Sequence, residues 1–155
     1  MRIHNGWVLI FIVSFKSNAQ SNNLSFSLRE KGLRSTKQRL CVYDVILDKR
    51  DHPTADDIFS RVRKKLPKIS YATVYNCLET FVQCGLVKKI NLDRNSSRYC
   101  PNLAPHAHFK CAKTDKIIDL PIDEKTLDSL KSIVPEGFSH AGFDLSFHGT
   151  SPSNN

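Results

Sequence analysis

No Cys-x-x-Cys pair occurs in this 155-residue chain, although it holds five cysteines. That argues against a four-thiolate zinc knuckle, and the odd count argues against a disulfide framework. Glycine and proline are sparse, at six and seven, and no apolar heptad is sustained. Collagen-like, low-complexity and coiled-coil classes are therefore excluded. The apolar stretch Trp7-Val-Leu-Ile-Phe-Ile-Val-Ser-Phe15 falls short of the roughly 18 residues a membrane-crossing helix needs. Acids are few: 15 Asp and Glu against 23 Lys and Arg leave a net charge of +8 and a pI near 9.4. A hydrophobic content of 40% is enough for a real core, and the length suits one domain or two small lobes.

The charge is uneven along the chain. Up to Tyr99 there are 18 bases and 8 acids, a net of +10; from Cys100 onward, 5 bases and 7 acids give −2. A basic first part points to an anionic partner, with nucleic acid ahead of a membrane surface, and the second part to another task. The opening residues stand apart. Arg2, the apolar stretch and Ser17-Asn-Ala19 trace the outline of a secretory signal peptide. Residues 1–22 are taken as an N-terminal extension outside the function.

From Leu24 the helix signals are regular. Ser35-Thr-Lys-Gln38 fits a capping box before the apolar stripe Leu40, Tyr43, Ile46 and Leu47. Pro53-Thr54 opens a second helix, with Asp56 and Asp57 in its first turn and Ala55, Ile58, Val62 and Leu66 inward. Ser70 caps a third helix with stripe Val74, Cys77, Leu78 and Phe81, and Gly85 stops it. Short β segments at Leu86–Ile90 and Arg98–Cys100 come next, joined by a polar turn. Three helices and a hairpin make a winged helix-turn-helix, whose last helix enters the major groove. That helix exposes Ser70, Tyr71, Thr73, Tyr75 and Asn76, hydroxyls for phosphates and an amide and rings for base edges. Cys77 and Cys84 read as small core residues.

The second part holds Cys100-Pro-Asn-Leu-Ala-Pro-His106-Ala-His108-Phe-Lys-Cys111. Strand alternation puts His106 and His108 on one face, and Cys100 can fold back to the same point, a donor set for a transition metal. Lys116–Asp119 is expected as a strand, Ile122–Val134 as an amphipathic helix and Phe138–Phe147 as a long alternating strand. So small a sheet leaves edges that a second copy would cover. The fold class is α+β: a winged helix-turn-helix over residues 23–97, a small α/β dimerisation and metal-sensing domain over 98–150, and a tail over 151–155.

Gly32-Leu-Arg-Ser-Thr-Lys-Gln-Arg39, His52-Pro-Thr-Ala-Asp-Asp-Ile58, Ser70-Tyr-Ala-Thr-Val-Tyr-Asn76, Gly85-Leu-Val87 and Ser97-Arg-Tyr99 before the histidine pair resemble the ferric uptake regulator (Fur) superfamily. The wording is most similar to its peroxide-sensing PerR branch, over residues 24 to about 150. The resemblance implies a cytoplasmic, homodimeric, metal-activated repressor of a palindromic operator. It implies one regulatory divalent ion per subunit, iron, manganese or zinc, on His52, the position of Cys100, His106, His108 and Asp119. It also implies base reading by Tyr75 and Asn76 and a minor-groove probe at Arg34.

Two departures stand out. The family often holds a structural zinc on two CxxC pairs, but here Cys111 is the one remaining thiol, so no structural zinc is expected. Cys100 stands where the peroxide- and iron-sensing members carry a carboxylate, and resembles the zinc-sensing (Zur) members; a thiolate favours zinc. Other classes are a metal-dependent hydrolase, an exported metal-binding protein and a metal-independent DNA-binding protein. No HExxH motif or comparable acid neighbours the histidines, so no enzyme activity is expected.

Overall fold

A computed structural model describes residues 22–92 and 96–152; the signal-like segment lies outside these residues. Helix α1 covers residues 22–30, followed by α2 (Lys37–Lys49), α3 (Ala55–Lys65) and α4 (Tyr71–Gln83). Strands β1 (Lys88–Ile90) and β2 (Arg98–Cys100) form an antiparallel hairpin, and β3 (His106–Cys111), β4 (Ile117–Pro121), helix α5 (Glu124–Lys131) and β5 (Ser146–Gly149) complete the chain. No described helix is long and apolar enough to cross a membrane.

Capping chemistry sets where the helices begin. Thr54 forms a reciprocal capping box with Asp57 at the start of α3, and the Ser70 hydroxyl accepts from the Thr73 amide at the start of α4. At α2 the box expected from Ser35 and Gln38 is not the one used. Thr36 is the cap, accepting from the Arg39 amide, while Ser35 bonds back to Ser25 on α1. Gly85, at φ 69°, turns the chain out of α4 into the hairpin in a conformation that glycine adopts without strain.

The core of the first lobe is Val42, Ile46, Ile58, Val62, Val74, Leu78 and Phe81 packed with Tyr99 of β2 and Leu28 of α1. Val42 and Val45 fall outside the expected stripe of α2 but are buried, in the same core cluster as Leu24 and Leu28 of α1. β2 is shared between lobes. It is hydrogen-bonded to β1, and Tyr99 donates its amide to the Pro53 carbonyl at 3.0 Å, yet its Cys100 lies against the histidines of β3.

The second lobe is a three-stranded sheet in the order β4-β3-β5, antiparallel on one side and parallel on the other. The long strand expected over Phe138–Phe147 is confined to Ser146–Gly149. Gly137 at φ 84° and a turn from the Phe138 amide to the Pro135 carbonyl break its start. The expected helix is likewise shorter, since Asp123 caps it through the Thr126 amide. None of its residues is buried, and Ile118, Ile133, Phe138, Phe143 and Phe147 are exposed.

Candidate metal centre

Five side chains from four segments meet where the lobes join. His52 lies in the link between α2 and α3, Cys100 ends β2, His106 and His108 lie on β3, and Asp119 lies on β4 opposite His108. His52, Cys100, His106 and His108 are buried. The alternation of β3 turns both imidazoles to one side, where their Nε2 atoms are 3.0 Å apart. Cys100 Sγ is 3.5 Å from His106 Nε2. Asp119 Oδ1 is 2.7 Å from His52 Nε2, 3.5 Å from His106 Nε2 and 3.7 Å from His108 Nε2. One donor atom from each of His52, Cys100, His108 and Asp119 lies within 4.8 Å of the others. Donors bonded tetrahedrally to one zinc ion at its usual bond lengths stand roughly 3.3–3.7 Å from one another, so the spacing suits one small cation.

The hydrogen bonding points the same way. His106 Nδ1 faces the Ala104 carbonyl at 2.7 Å. A carbonyl only accepts, so Nδ1 carries the proton and Nε2 turns its lone pair to the cluster. Asn102 donates Nδ2–H to Asp119 Oδ2 at 2.9 Å and accepts from the Ala104 amide, which aims Oδ1 inward. His52 Nδ1 and Nε2 and Asp119 Oδ1 are buried without a well-formed hydrogen bond, although Nε2 and Oδ1 stand 2.7 Å apart and would pair as ions if His52 were protonated. Unpaired buried polar atoms cost about 1–3 kcal/mol each, and the donor set left open here is one a divalent cation satisfies. His52 also sits at φ 52°, a left-handed backbone that non-glycine residues adopt at a cost and that clusters at functional sites.

Burial governs the protonation of the cluster. It pushes the Cys100 thiol up to about 11 and, with the neighbouring His106 and His52, His108 down to about 4. His52 is lowered by burial, only partly opposed by Asp119. Burial works against the charge of Asp119 too, but the Asn102 amide and the two histidines His52 and His106 outweigh it and hold the carboxyl below its usual range. Burial thus favours the neutral, lone-pair-bearing form of His52 and His108. For His108 the unfolded chain takes up its proton near the ordinary value of 6.5, the folded chain only near 4. Stability from this group is complete above the first value and is lost as the pH falls between the two. The urea midpoint of the metal-free protein is therefore expected to drop between about pH 7 and about pH 5, and to drop less in His108→Gln. Equal losses in both proteins would refute this assignment.

Cys111, expected to be an inert buried thiol, is buried. The Ser151 hydroxyl donates to its sulfur at 3.3 Å, and hydrogen bonds from Ser151 and Thr114 lower the thiol to about 6. All five cysteines are free. Neutral hydroxyls beside a single thiol do not make a zinc site of the structural kind.

On the first lobe, Ser70, Tyr71, Tyr75 and Asn76 are exposed along α4 and Thr73 is half-buried. Ser70 and Thr73 share a hydroxyl hydrogen bond of 2.8 Å as part of the cap. Tyr75 is stacked on Tyr71, with centroids 6.5 Å apart, and Lys89 of β1 lies over its ring. Arg34 is exposed ahead of α2. Lys37, Lys65 and Lys68 line a groove with Ser70 and Thr73.

The Ferric uptake regulator family model matches residues 30–148. The chain belongs to the ferric uptake regulator family. It is 35% identical over 122 residues to the peroxide-responsive repressor PerR of Staphylococcus epidermidis, covering 79% of this chain and 78% of the relative. Among solved Fur-family structures, the Campylobacter jejuni peroxide stress regulator superposes with a TM-score of 0.63 at 30% identity, covering 76% of this chain and 88% of that one. The Pseudomonas aeruginosa ferric uptake regulator with manganese gives 0.66 at 25% identity, covering 82% and 96%. The chain is a regulator of the Fur/PerR type, with a DNA-binding lobe ahead of a second, α/β lobe. Two residues that the motif reading of this Fur-family chain did not single out as site residues support the cluster. Asn102 orients Asp119, and its place after Pro101 in a turn was its one signal. Arg98 touches His52 and counted there only as part of a motif.

Proposed function

We propose that this protein is a cytoplasmic homodimeric repressor that binds a palindromic operator when a divalent transition metal occupies the cluster of His52, Cys100, His106, His108 and Asp119. The observation that carries the reading is the set of buried donors left without hydrogen bonds where the lobes join. Bound there, a divalent cation supplies the positive charge that lets a thiolate, a carboxylate and neutral imidazoles share one point. His52 belongs to the winged-helix lobe, Cys100 to the strand β2 that the two lobes share, and His106, His108 and Asp119 to the second lobe. Their convergence ties α3 and the hairpin to the sheet, and so sets the spacing of two α4 helices in a dimer. A ligand acts this way only through its preference for one arrangement over the other. The exposed apolar residues of the second lobe suit burial against a second copy. No group in the cluster has the role of a catalytic base beside an open metal position, so the reading is regulatory rather than enzymatic.

Fluorescence anisotropy with a duplex selected from a random-sequence pool tests the proposal. Affinity is expected to rise at least about tenfold with zinc, manganese or iron(II), a coupling within the usual allosteric range, and to fall back on chelation. Metal-independent affinity would overturn it. Recognition is assigned to Tyr75 and Asn76, with Tyr71, Ser70, Thr73, Arg34 and the lysine-lined groove on the backbone. Asn76→Ala is expected to cost about 1–3 kcal/mol on the selected duplex and little on random DNA. Equal losses on both duplexes count against base reading. The peroxide-responsive relatives support a PerR-type reading, while the Cys100 thiol is the feature that would suit zinc sensing; release of operator DNA by hydrogen peroxide from the iron-loaded protein supports the former, and indifference to peroxide the latter.

A further inference from the structure

Arg98 joins three parts of the molecule. Its strand, β2, alternates so that Tyr99 enters the core of the first lobe while Arg98 and Cys100 share the opposite side. Cys100 meets His106, and Arg98 sends its guanidinium in two directions. Nη1 donates to the backbone carbonyl of His52 at 3.3 Å, and Nη2 pairs with the carboxylate of Asp115 in the turn between β3 and β4. Asp115 is pinned in its turn: its amide donates to the Cys111 carbonyl at 2.9 Å, and Lys110 pairs with its other oxygen at 2.9 Å. Both residues that Arg98 holds have a left-handed backbone, His52 at φ 52° and Asp115 at φ 57°.

We propose that Arg98 is a positioning residue. Through Asp115 it latches the winged-helix lobe to the sheet without metal, and through the His52 carbonyl it holds that strained residue with its imidazole facing Asp119. This deepens the proposed function, on which it rests for the role of His52, and adds a lobe contact that the metal ligands do not make. Arginine suits the task because its planar fork reaches two acceptors at once, which a lysine ammonium does less rigidly. An exposed ion pair by itself contributes little to stability. The latch therefore acts through geometry, by lowering the cost of assembling the pocket when a cation binds.

The test uses the full-length protein and Co(II) as probe, with Arg98→Met, Asp115→Asn, Arg98→Lys and the Arg98→Met/Asp115→Asn double variant. Outer residues that orient metal ligands typically contribute about 10–100-fold in affinity. Arg98→Met and Asp115→Asn are each expected to weaken Co(II) binding at least about tenfold, and the double variant no more than the worse single one. Arg98→Lys is expected to recover part of the loss. The visible spectrum of the saturated site, with its thiolate charge-transfer band, should match wild type, because the ligands themselves remain. Small-angle scattering of the metal-free variants should show a larger radius of gyration than metal-free wild type. Co(II) affinities within about twofold of wild type in both single variants, or losses that multiply in the double one, overturn the proposal. Should wild type bind no Co(II), the metal reading fails by itself. The scattering comparison then decides the latch: expansion supports it, and unchanged radii refute it.

Discussion

His106→Ala is expected to remove the metal-dependent part of operator affinity, with metal binding weaker by at least about a hundredfold. His106 Nε2 lies 3.0 Å from His108 Nε2, and 3.5 Å from both Cys100 Sγ and Asp119 Oδ1, so it faces three of the four donors that lie within 4.8 Å of one another. Its orientation is set by the bond from Nδ1 to the Ala104 carbonyl, so the structure has already met the cost of ordering the ring. Changes one layer further out cost about 10–100-fold, and loss of a donor belongs at or beyond the top of that range. Titrations of labelled operator with zinc, manganese and chelator read the result. His106→Gln, which keeps the bulk but not the imidazole, separates ligand loss from a packing defect. A variant that keeps the full metal-dependent gain would remove His106 from the site. It would leave His52, Cys100, His108 and Asp119 as the four donors.

The largest effect on stability is expected at Phe81. Its ring is fully buried, 5.5 Å from that of Tyr43 on α2, and its carbonyl accepts from the Leu86 and Val87 amides where the chain leaves α4. Phe81→Ala opens a cavity between α4 and α2, a change worth about 3–5 kcal/mol. Small domains have only about 5–15 kcal/mol in total. The urea midpoint should fall sharply with the slope of the transition unchanged. DNA binding should then be lost with folding rather than through any contact to the operator. A shift below about 1 kcal/mol would mean that the site collapses around the missing ring, and that α4 is held mainly by its other buried residues.

Much of the first lobe was legible because its signals are local. The stripe Val74, Cys77, Leu78 and Phe81 lies at helical spacing, and its residues are buried. Ser70 and Thr54 cap the helices they precede. The failures were also local in origin. Ser35 and Thr36 are both competent caps, and the choice between them fell to Ser25, ten residues away on α1. The apolar alternation of Phe138–Phe147 suggested a strand, but Gly137 and the turn after Pro135 interrupt it. There the phenylalanines stay exposed rather than forming a face of this sheet.

Sequence by itself determined the order of the elements after α1, a helix it did not announce, the family and the facing of His106 and His108, since all three rest on residue type and short-range periodicity. Tertiary structure decided how His52, Cys100 and Asp119 come together with them. That meeting depends on β2 pairing beside Pro53 and on the register that sets His108 opposite Asp119. Alternation along a strand says which face a side chain takes, but not which distant strand lies beside it. The same long-range pairing places Arg98 against the His52 carbonyl and Asp115. No spacing in the sequence announces that contact, because its three residues belong to separate segments and meet only when the lobes do.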